Sequence, residues 1–209
     1  MGKEEEYDKI VKQIHLCRKC PLWKTRTKPV PGEGSLDAEI MFIGEAPGFH
    51  EDKQGKPFVG QAGKLLTQLL KDIGLERRDV FITNVVKCRP PNNRDPTKEE
   101  IEACSVYLDK QIEIIKPKII VTLGRFSARY LYEKIGRKFS SMTKERGKII
   151  EGKLDCCDVK ILTMYHPAAA LYNPKLKDVM VGDFQKLKEM LKGSSQKTKR
   201  TLLDFIEQG

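Results

Sequence analysis

Short apolar runs alternate with amphipathic segments along most of the chain. Four runs are rich in aliphatic and β-branched residues and lie between polar or glycine-containing segments, as buried strands do; they cover residues 40–43, 79–86, 118–124 and 161–165. Apolar residues at helical spacing predict helices at residues 3–16, 60–73, 95–115, 125–131 and 177–191, the third with Asp95 as its N-cap. This alternation predicts an α/β fold, a three-layer α/β/α sandwich around a central, mainly parallel four-stranded sheet.

Two stretches lack such periodicity. The segment 137–160 is basic and rich in turn residues, and the segment 25–37 is interrupted by proline and glycine, so we read both as irregular. Near the C-terminus, the Gly193–Lys197 stretch has the composition of a linker. We therefore predict one domain at residues 1–192, followed by a linker and an apolar tail at residues 193–209.

Charge suggests a class of partner. The chain has 209 residues and a net charge of +10, from 39 basic and 29 acidic residues, which fits a polyanionic partner such as a nucleic acid. A solvated, Lys- and Glu-rich surface of the kind common in thermophilic proteins explains the same charge, so both readings stay open. The charged N-terminus and the absence of a long apolar run predict a cytoplasmic protein with no membrane segment.

Six cysteines stand out in a chain without an export signal, where ligation of a metal is more common than disulfides. Cys17 and Cys20 form a Cys-x-x-Cys pair after the first helix, and Cys88 and Cys104 could complete a four-thiolate set. Four thiolates suit zinc or a four-iron cluster equally well. Cys156 and Cys157 are adjacent, which is unfavourable for joint ligation, and we interpret them as structural or exposed.

Candidate chemistry gathers where the predicted strands end. The first strand leads into a glycine-rich loop, residues 44–60, that carries Glu45, Glu51 and Phe58; Asn84 and His166 follow later strands. In an open parallel sheet these ends meet at one edge, where ligands bind. An aromatic face, an amide, acids and an imidazole suit a pocket for one flipped nucleobase, although a nucleotide-binding enzyme could use similar parts. The loop alone could equally be a tight turn with solvated acids.

Four motifs together resemble the iron–sulfur uracil-DNA glycosylases, called family four. They are GEAPG at 44–48, GKPFVGQAG at 55–63, TNVVKCRPPNNR at 83–94 and HPAAAL at 166–171. The four-cysteine pattern also fits, and the resemblance covers about residues 7–191. It implies a 4Fe–4S cluster on Cys17, Cys20, Cys88 and Cys104, and hydrolysis of the N-glycosidic bond of deoxyuridine without a divalent metal, in single- and double-stranded DNA.

The resemblance also implies roles for single residues. Phe58 would stack on uracil, Asn84 would read its edge, and His166 would face the O2 atom, where negative charge develops. Glu45 and Glu51 match acids of the active-site loop, without deciding which of them orients water. Backbone contacts would come from Gly44, Ala46 and Gly48, and Leu171 is our candidate for the wedge that fills the vacated base stack.

The tail resembles the C-terminal peptides by which archaeal repair proteins bind the sliding clamp. Leu202, Phe205 and Ile206 stand at the positions that plug into the clamp, while Lys199 stands where such peptides usually have glutamine. We also expect a monomer. Two other classes remain as alternatives: a non-enzymatic iron–sulfur protein that binds nucleic acid on the same fold, and an electron carrier.

Overall fold

Six strands form one sheet in the computed structural model, which describes residues 2–206 and the side chains of residues 2–192. In chain order they are β1 (Glu33–Gly34), β2 (Ile40–Gly44), β3 (Phe81–Asn84), β4 (Ile119–Leu123), β5 (Ile149–Lys153) and β6 (Asp158–Met164). Their order across the sheet is β1-β3-β2-β4-β6-β5. The α/β class is therefore confirmed.

The predicted four strands are the parallel centre of the sheet, and the predicted strand number was too low. β3, β2, β4 and β6 pair in parallel, whereas β1 and β5 pair antiparallel at the two edges. Both edge strands lie in segments that we had read as irregular. β1 has only two residues, and β5 alternates exposed and buried positions beside turn residues, so neither has the continuous apolar run of a central strand.

Eight helices surround the sheet in the described part of the chain. They are α1 (Lys3–Leu16), α2 (Phe49–Gln54), α3 (Gln61–Asp72), α4 (Lys98–Ile115), α5 (Arg125–Lys134), α6 (Met142–Glu145), α7 (Ala168–Tyr172) and α8 (Lys175–Ile206). The five predicted helices are all present. The three short ones, α2, α6 and α7, have four to six residues each and are too short to display helical periodicity.

Each face of the sheet has its own core. Met41 and Ile43 of β2 pack in one cluster with residues of α1, α4 and α5. Ile40 and Phe42, which alternate with them, pack in a second cluster with residues of α3, α7 and α8. Since successive strand residues point to opposite faces, one strand supplies both cores, and the three-layer prediction is confirmed.

The start of α4 corrects one predicted cap. We expected Asp95 to cap this helix, but the N-cap is Thr97. The Thr97 side chain accepts the Glu100 N–H at 3.3 Å, and Glu100 Oε2 accepts the Thr97 N–H at 2.9 Å. Two reciprocal hydrogen bonds satisfy more free helix-end groups than one aspartate could, and Asp95 instead forms an ion pair with Arg125.

The last helix is longer than predicted. We expected it to end near Leu191 before a linker, whereas helical backbone continues through Gly193–Lys197 to Ile206. The side chains of Leu202, Phe205 and Ile206 lie outside the described residues, so the clamp-binding positions and the domain division remain predictions. Among the described helices, none combines the length and the apolar character that crossing a membrane requires.

Candidate active site

A cleft opens at the carboxyl edge of the sheet, where β2, β3 and β6 end. Its volume is about 330 Å³, within the usual range of small-molecule sites. The cleft contains most of the predicted site residues, together with several that sequence reasoning missed. Its lining consists of Glu45, Ala46, Pro47, Gly48, Glu51, Phe58, Ala62, Asn84, Pro90, Asn93, Arg94, His166, Ala168 and Tyr172.

The Asn84 side chain offers an unused acceptor to this cleft. Asn84 is the last residue of β3 and only 2 % exposed, and its Oδ1 atom has no hydrogen-bond partner in the described structure. A buried polar atom without a partner is costly, so Oδ1 has a vacant position for a hydrogen-bond donor. Gly44, which is not part of the lining, lies beside Asn84 as its register partner in β2.

Phe58 is held in an unusual backbone conformation. Its φ of 50° is positive, which few residues other than glycine adopt. The Arg77 guanidinium donates to the carbonyl oxygens of Pro57 at 2.7 Å and Phe58 at 3.2 Å. A Cβ atom on Gly63 would lie 1.8 Å from the Phe58 oxygen, so only glycine leaves room for this backbone. Arg77 and Gly63 thus hold the backbone that carries the Phe58 ring, and nothing in the sequence pattern identified Arg77.

His166 stacks against Phe58 in the lining of the cleft. Their rings are nearly parallel, with centroids 5.4 Å apart and an interplanar angle of 27°. His166 Nδ1 accepts the Ala168 N–H at 3.2 Å. Burial lowers the pKa of His166 to about 4, so the imidazole is neutral near pH 7. A neutral ring that accepts at Nδ1 carries its proton on Nε2, which is left as a donor.

Glu45, the residue after β2, is the acid with the perturbed protonation equilibrium. Burial raises its pKa to about 7, and the negative charge of Asp95 adds to that rise, while Arg125 opposes it. Asp95 and Arg125 are themselves ion-paired. A carboxyl group that titrates near neutral pH at the edge of a cleft is typical of acid–base or charge-stabilising sites. Neither member of the ion pair was a sequence candidate.

Glu51 is bound by its own loop. Its Oε1 atom accepts the N–H groups of Val59 at 2.8 Å and Gly60 at 2.9 Å. A Cβ atom on Gly48 would lie 2.8 Å from Glu51 Oε2, so the glycine gives this carboxylate room. One oxygen of Glu51 therefore closes the loop that carries Phe58, which leaves Glu45 as the acid with fewer fixed contacts.

The predicted wedge residue lies outside the lining of the cleft. Leu171 in α7 is 50 % exposed, whereas the next residue, Tyr172, is 89 % exposed and lines the cleft. Because the Tyr172 ring is so exposed to solvent, it has no packing role in the described structure. Sequence reasoning passed over Tyr172 because a tyrosine at a helix end carries no signal of its own.

The four candidate ligand cysteines line one small cavity on the α1–α4 side of the sheet. Cys17 and Cys20 follow α1, Cys88 follows β3, and Cys104 lies in α4. The Arg26 guanidinium donates to Cys88 Sγ, and the Lys87 N–H donates to Cys104 Sγ, both at 3.1 Å. Hydrogen bonds to sulfur favour thiolates and tune iron–sulfur clusters.

Within residues 2–192, no three His, Cys, Asp or Glu side chains are placed to hold a single ion. A four-iron cluster binds each thiolate to a different iron atom, so its four sulfurs surround a larger space than the ligands of one zinc do. Cys156 and Cys157 lie elsewhere, between β5 and β6, half-buried and with their sulfurs 3.1 Å apart.

The chain is similar to known DNA repair enzymes. Residues 31–191 match the family model of the uracil DNA glycosylase superfamily. The type-4 uracil-DNA glycosylase of Sulfurisphaera tokodaii is 59 % identical over 187 residues, which cover 89 % of this chain and 85 % of the relative. That of Saccharolobus solfataricus is 56 % identical, over 90 % and 87 %. That of Archaeoglobus fulgidus is 50 % identical, over 97 % and 100 %.

Proposed function

This chain belongs to the uracil DNA glycosylase superfamily, and from that premise we propose that it excises uracil from DNA by hydrolysing the N-glycosidic bond of deoxyuridine. Such a reaction makes it a hydrolase that begins the repair of a damaged base. The non-enzymatic alternative has no support, because the relatives that cover most of the chain are named as glycosylases. Nothing in the site calls for an electron carrier either.

The observation that carries the proposal is the unpaired Oδ1 atom of Asn84 in the cleft. Uracil presents an N3–H donor beside its O4 acceptor, so the Asn84 amide accepts from the first and donates to the second. Cytosine has no hydrogen on N3 and has an amino donor in place of O4, so it would leave Oδ1 and the amide NH₂ mismatched. Phe58 supplies the face on which the extruded base stacks.

His166 would act as the bond breaks. Charge moves onto the uracil ring when the glycosidic bond is cleaved, and much of it appears on O2. The Nε2–H of a neutral imidazole is a donor that needs no proton transfer to stabilise that charge. The rings of Phe58 and His166 pack against each other with centroids 5.4 Å apart, so a base that binds beside them in the cleft would be close to this donor.

Glu45 would act at the deoxyribose of the bound nucleotide. As a carboxylate it would stabilise an oxocarbenium-like centre at C1′ and orient the attacking water, two tasks that need a negative charge near the site. Glu51 would position the loop through its bonds to Val59 and Gly60. The backbone of Ala46 and Gly48 lines the cleft, and Gly44 would act through the room that it gives to Asn84.

Release of uracil from an oligonucleotide by the purified full-length protein tests the activity. We expect Asn84→Ala to lower kcat/KM by about 10²-fold, since two hydrogen bonds to the base are lost. Asn84→Asp should weaken uracil excision and admit cytosine, because a protonated carboxyl group matches the cytosine edge. Gln68→Ala is the matched control, since this exposed amide on α3 bonds to Asp72 and lies outside the cleft. Unchanged uracil release by Asn84→Ala would contradict the recognition scheme.

We propose that Cys17, Cys20, Cys88 and Cys104 hold a 4Fe–4S cluster. The support is the cavity that the four thiols share and the two N–H···S bonds. When bound, the cluster would supply iron–thiolate bonds that join the end of α1, the loop after β3 and α4. Arg26 already links two of these parts, since it donates to His15 O at 2.6 Å and to Cys88 Sγ at 3.1 Å.

Metal analysis of anaerobically purified protein tests the cluster. We expect iron and sulfide in the wild type, loss of both with lower thermal stability in Cys88→Ser, and no change in Cys157→Ser. Zinc without iron in the wild type would overturn the proposal. Cys157 is the control because it is a thiol outside the shared cavity, half-buried like Cys17 and Cys20.

We further propose that the protein is a monomer that acts on single- and double-stranded DNA, and that its tail binds a sliding clamp through Leu202, Phe205 and Ile206. Support for the tail comes from its sequence, with apolar residues at the spacing of one helical turn. Calorimetry with the host clamp should detect binding by the full chain and none by a chain that ends at Gly193. Equal affinities of the two would refute the tail proposal and leave the glycosylase activity untouched.

A further inference from the structure

An exposed aromatic ring stands next to the cleft without belonging to it. Phe49 is the first residue of α2 and is 47 % exposed, and its side chain is part of neither core cluster. The ring makes an edge contact with His50, and the exposed part of its surface is available to a ligand.

Two cations lie against this ring. The Arg89 guanidinium carbon is 5.1 Å from the ring centroid and the Lys53 Nζ atom is 5.6 Å from it. Lys53 comes from α2 itself and Arg89 from the loop after β3, so two separate segments bring positive charge to one exposed aromatic. Neither cation has a carboxylate partner among the described ion pairs.

The ring is also tied to the rim of the cleft. Gly48, the residue before Phe49, lines the cleft. On the other side, Arg89 Nε donates to Asn93 Oδ1 at 2.7 Å, and Asn93 lines the cleft as well. A nucleotide strand that places one base in the cleft must pass its neighbouring bases over the rim, where Phe49 is available.

An aromatic face beside cations is the combination that binds single-stranded nucleic acid: bases stack on the ring and phosphates meet the charges. We propose that Phe49, Lys53 and Arg89 form a stacking platform for a base next to the flipped uracil on the same strand. This inference rests on the proposed uracil excision and adds a positioning site to it. The platform favours substrates whose flanking bases are already unpaired, as in single-stranded DNA.

Fluorescence of a neighbouring base tests the contact directly. The probe is a single-stranded oligonucleotide with one 2′-fluorinated deoxyuridine, whose glycosidic bond resists hydrolysis, and 2-aminopurine on its 5′ side or its 3′ side. Stacking quenches 2-aminopurine, so we expect the wild-type protein to quench one of the two probes and Phe49→Ala to remove that quenching. Lack of quenching in both probes by the wild type would overturn the platform.

The affinity for the same oligonucleotide tests whether position 49 needs an aromatic ring that stacks on a base. We expect Phe49→Ala to raise Kd by about 5- to 100-fold, the usual effect of losing one stacked base, and Phe49→Trp to restore it. On an oligonucleotide with ordinary deoxyuridine, the single-turnover rate at saturating enzyme should fall by less than Kd rises. Lys53→Gln should reduce the slope of log Kd against log salt by about 0.7, one phosphate contact on a single strand.

Ile149→Ala is the matched control, because Ile149 is also 47 % exposed but lies on the edge strand β5. A Kd change in Phe49→Ala no larger than in this control, or Phe49→Trp as weak as Phe49→Ala, would refute the platform. Uracil release from an ordinary oligonucleotide by the wild type, measured in parallel, distinguishes a failure of the stacking platform from a failure of the proposed activity. Failure of that release would refute the proposed function, whereas intact release with no Phe49 effect would refute only the platform.

Discussion

Gly44 and Asn84 are register partners at the ends of the neighbouring parallel strands β2 and β3, and the space that Gly44 leaves is filled by Asn84. A Cβ atom on Gly44 would lie 2.3 Å from Asn84 Oδ1 and 2.7 Å from Phe58 Cζ. The missing side chain of one residue thus lets the amide and the aromatic ring occupy the floor of the cleft together. This pair of residues therefore sets where the Asn84 amide and the Phe58 ring lie in the cleft.

Gly44→Ala should therefore impair catalysis through Asn84 and Phe58. Because the added methyl group must push both side chains away, we expect kcat/KM for uracil release to fall by about 10²-fold, the scale of a misplacement near 1 Å. Gly182→Ala is the control: a Cβ atom there meets nothing within 4 Å, and the helix α8 should gain about 1 kcal/mol. A Gly44→Ala enzyme with wild-type kinetics would show that Asn84 does not need its present position.

His166→Ala should act on the chemical step. Loss of one donor to a developing negative charge typically costs about 10²–10³ in rate, so single-turnover excision should slow by that factor while DNA affinity changes little. Since burial lowers the pKa of His166 to about 4, the donor stays neutral throughout the range from pH 5 to 8. Weaker DNA binding with an unchanged single-turnover rate would rule out the O2 contact.

Ionisation of Glu45 should set the acidic limb of the pH dependence of the single-turnover rate. A carboxylate role requires loss of the proton, and burial together with Asp95 raises the pKa to about 7, so the single-turnover rate should rise as pH increases through about 7. Asp95→Asn removes a negative charge, lowers the Glu45 pKa and moves the limb to lower pH. Arg125→Gln removes a positive charge and moves it to higher pH. Shifts in the same direction for both variants would exclude Glu45 as the titrating group.

The wedge prediction can be tested on two adjacent residues. A side chain that fills the vacated stack matters in duplex DNA and much less in a single strand. If Leu171 has this role, Leu171→Ala should lower single-turnover excision from duplex by about 10-fold and spare single-stranded substrate. Tyr172→Ala serves as the comparison, because Tyr172 lines the cleft and is more exposed. If only Tyr172→Ala slows excision from duplex DNA, the wedge role belongs to Tyr172 and not to Leu171.

Local sequence patterns predicted the secondary structure correctly where it depends on the residues of one segment alone. The four central strands consist largely of apolar residues, because helices cover both faces of the sheet there. The edge strands β1 and β5 escaped prediction because they need only a neighbour's hydrogen bonds and half a buried face. The capping of α4 by Thr97 was missed because Asp95 also fits the local rules, and its pairing with Arg125 depends on tertiary contact.

For the site, the sequence by itself determined which chemical groups are available and that they follow strands whose ends share one edge. The motifs identified five candidate residues, and all five line one cleft: Glu45, Glu51, Phe58, Asn84 and His166. Only the tertiary structure decided their state: the neutral His166, the raised pKa of Glu45 and the unpaired Asn84 oxygen. Burial and long-range contacts set these properties, and both depend on residues such as Arg77 and Arg125 that are distant in sequence. Composition and spacing carry no record of such neighbours, because they arise only when the chain has folded.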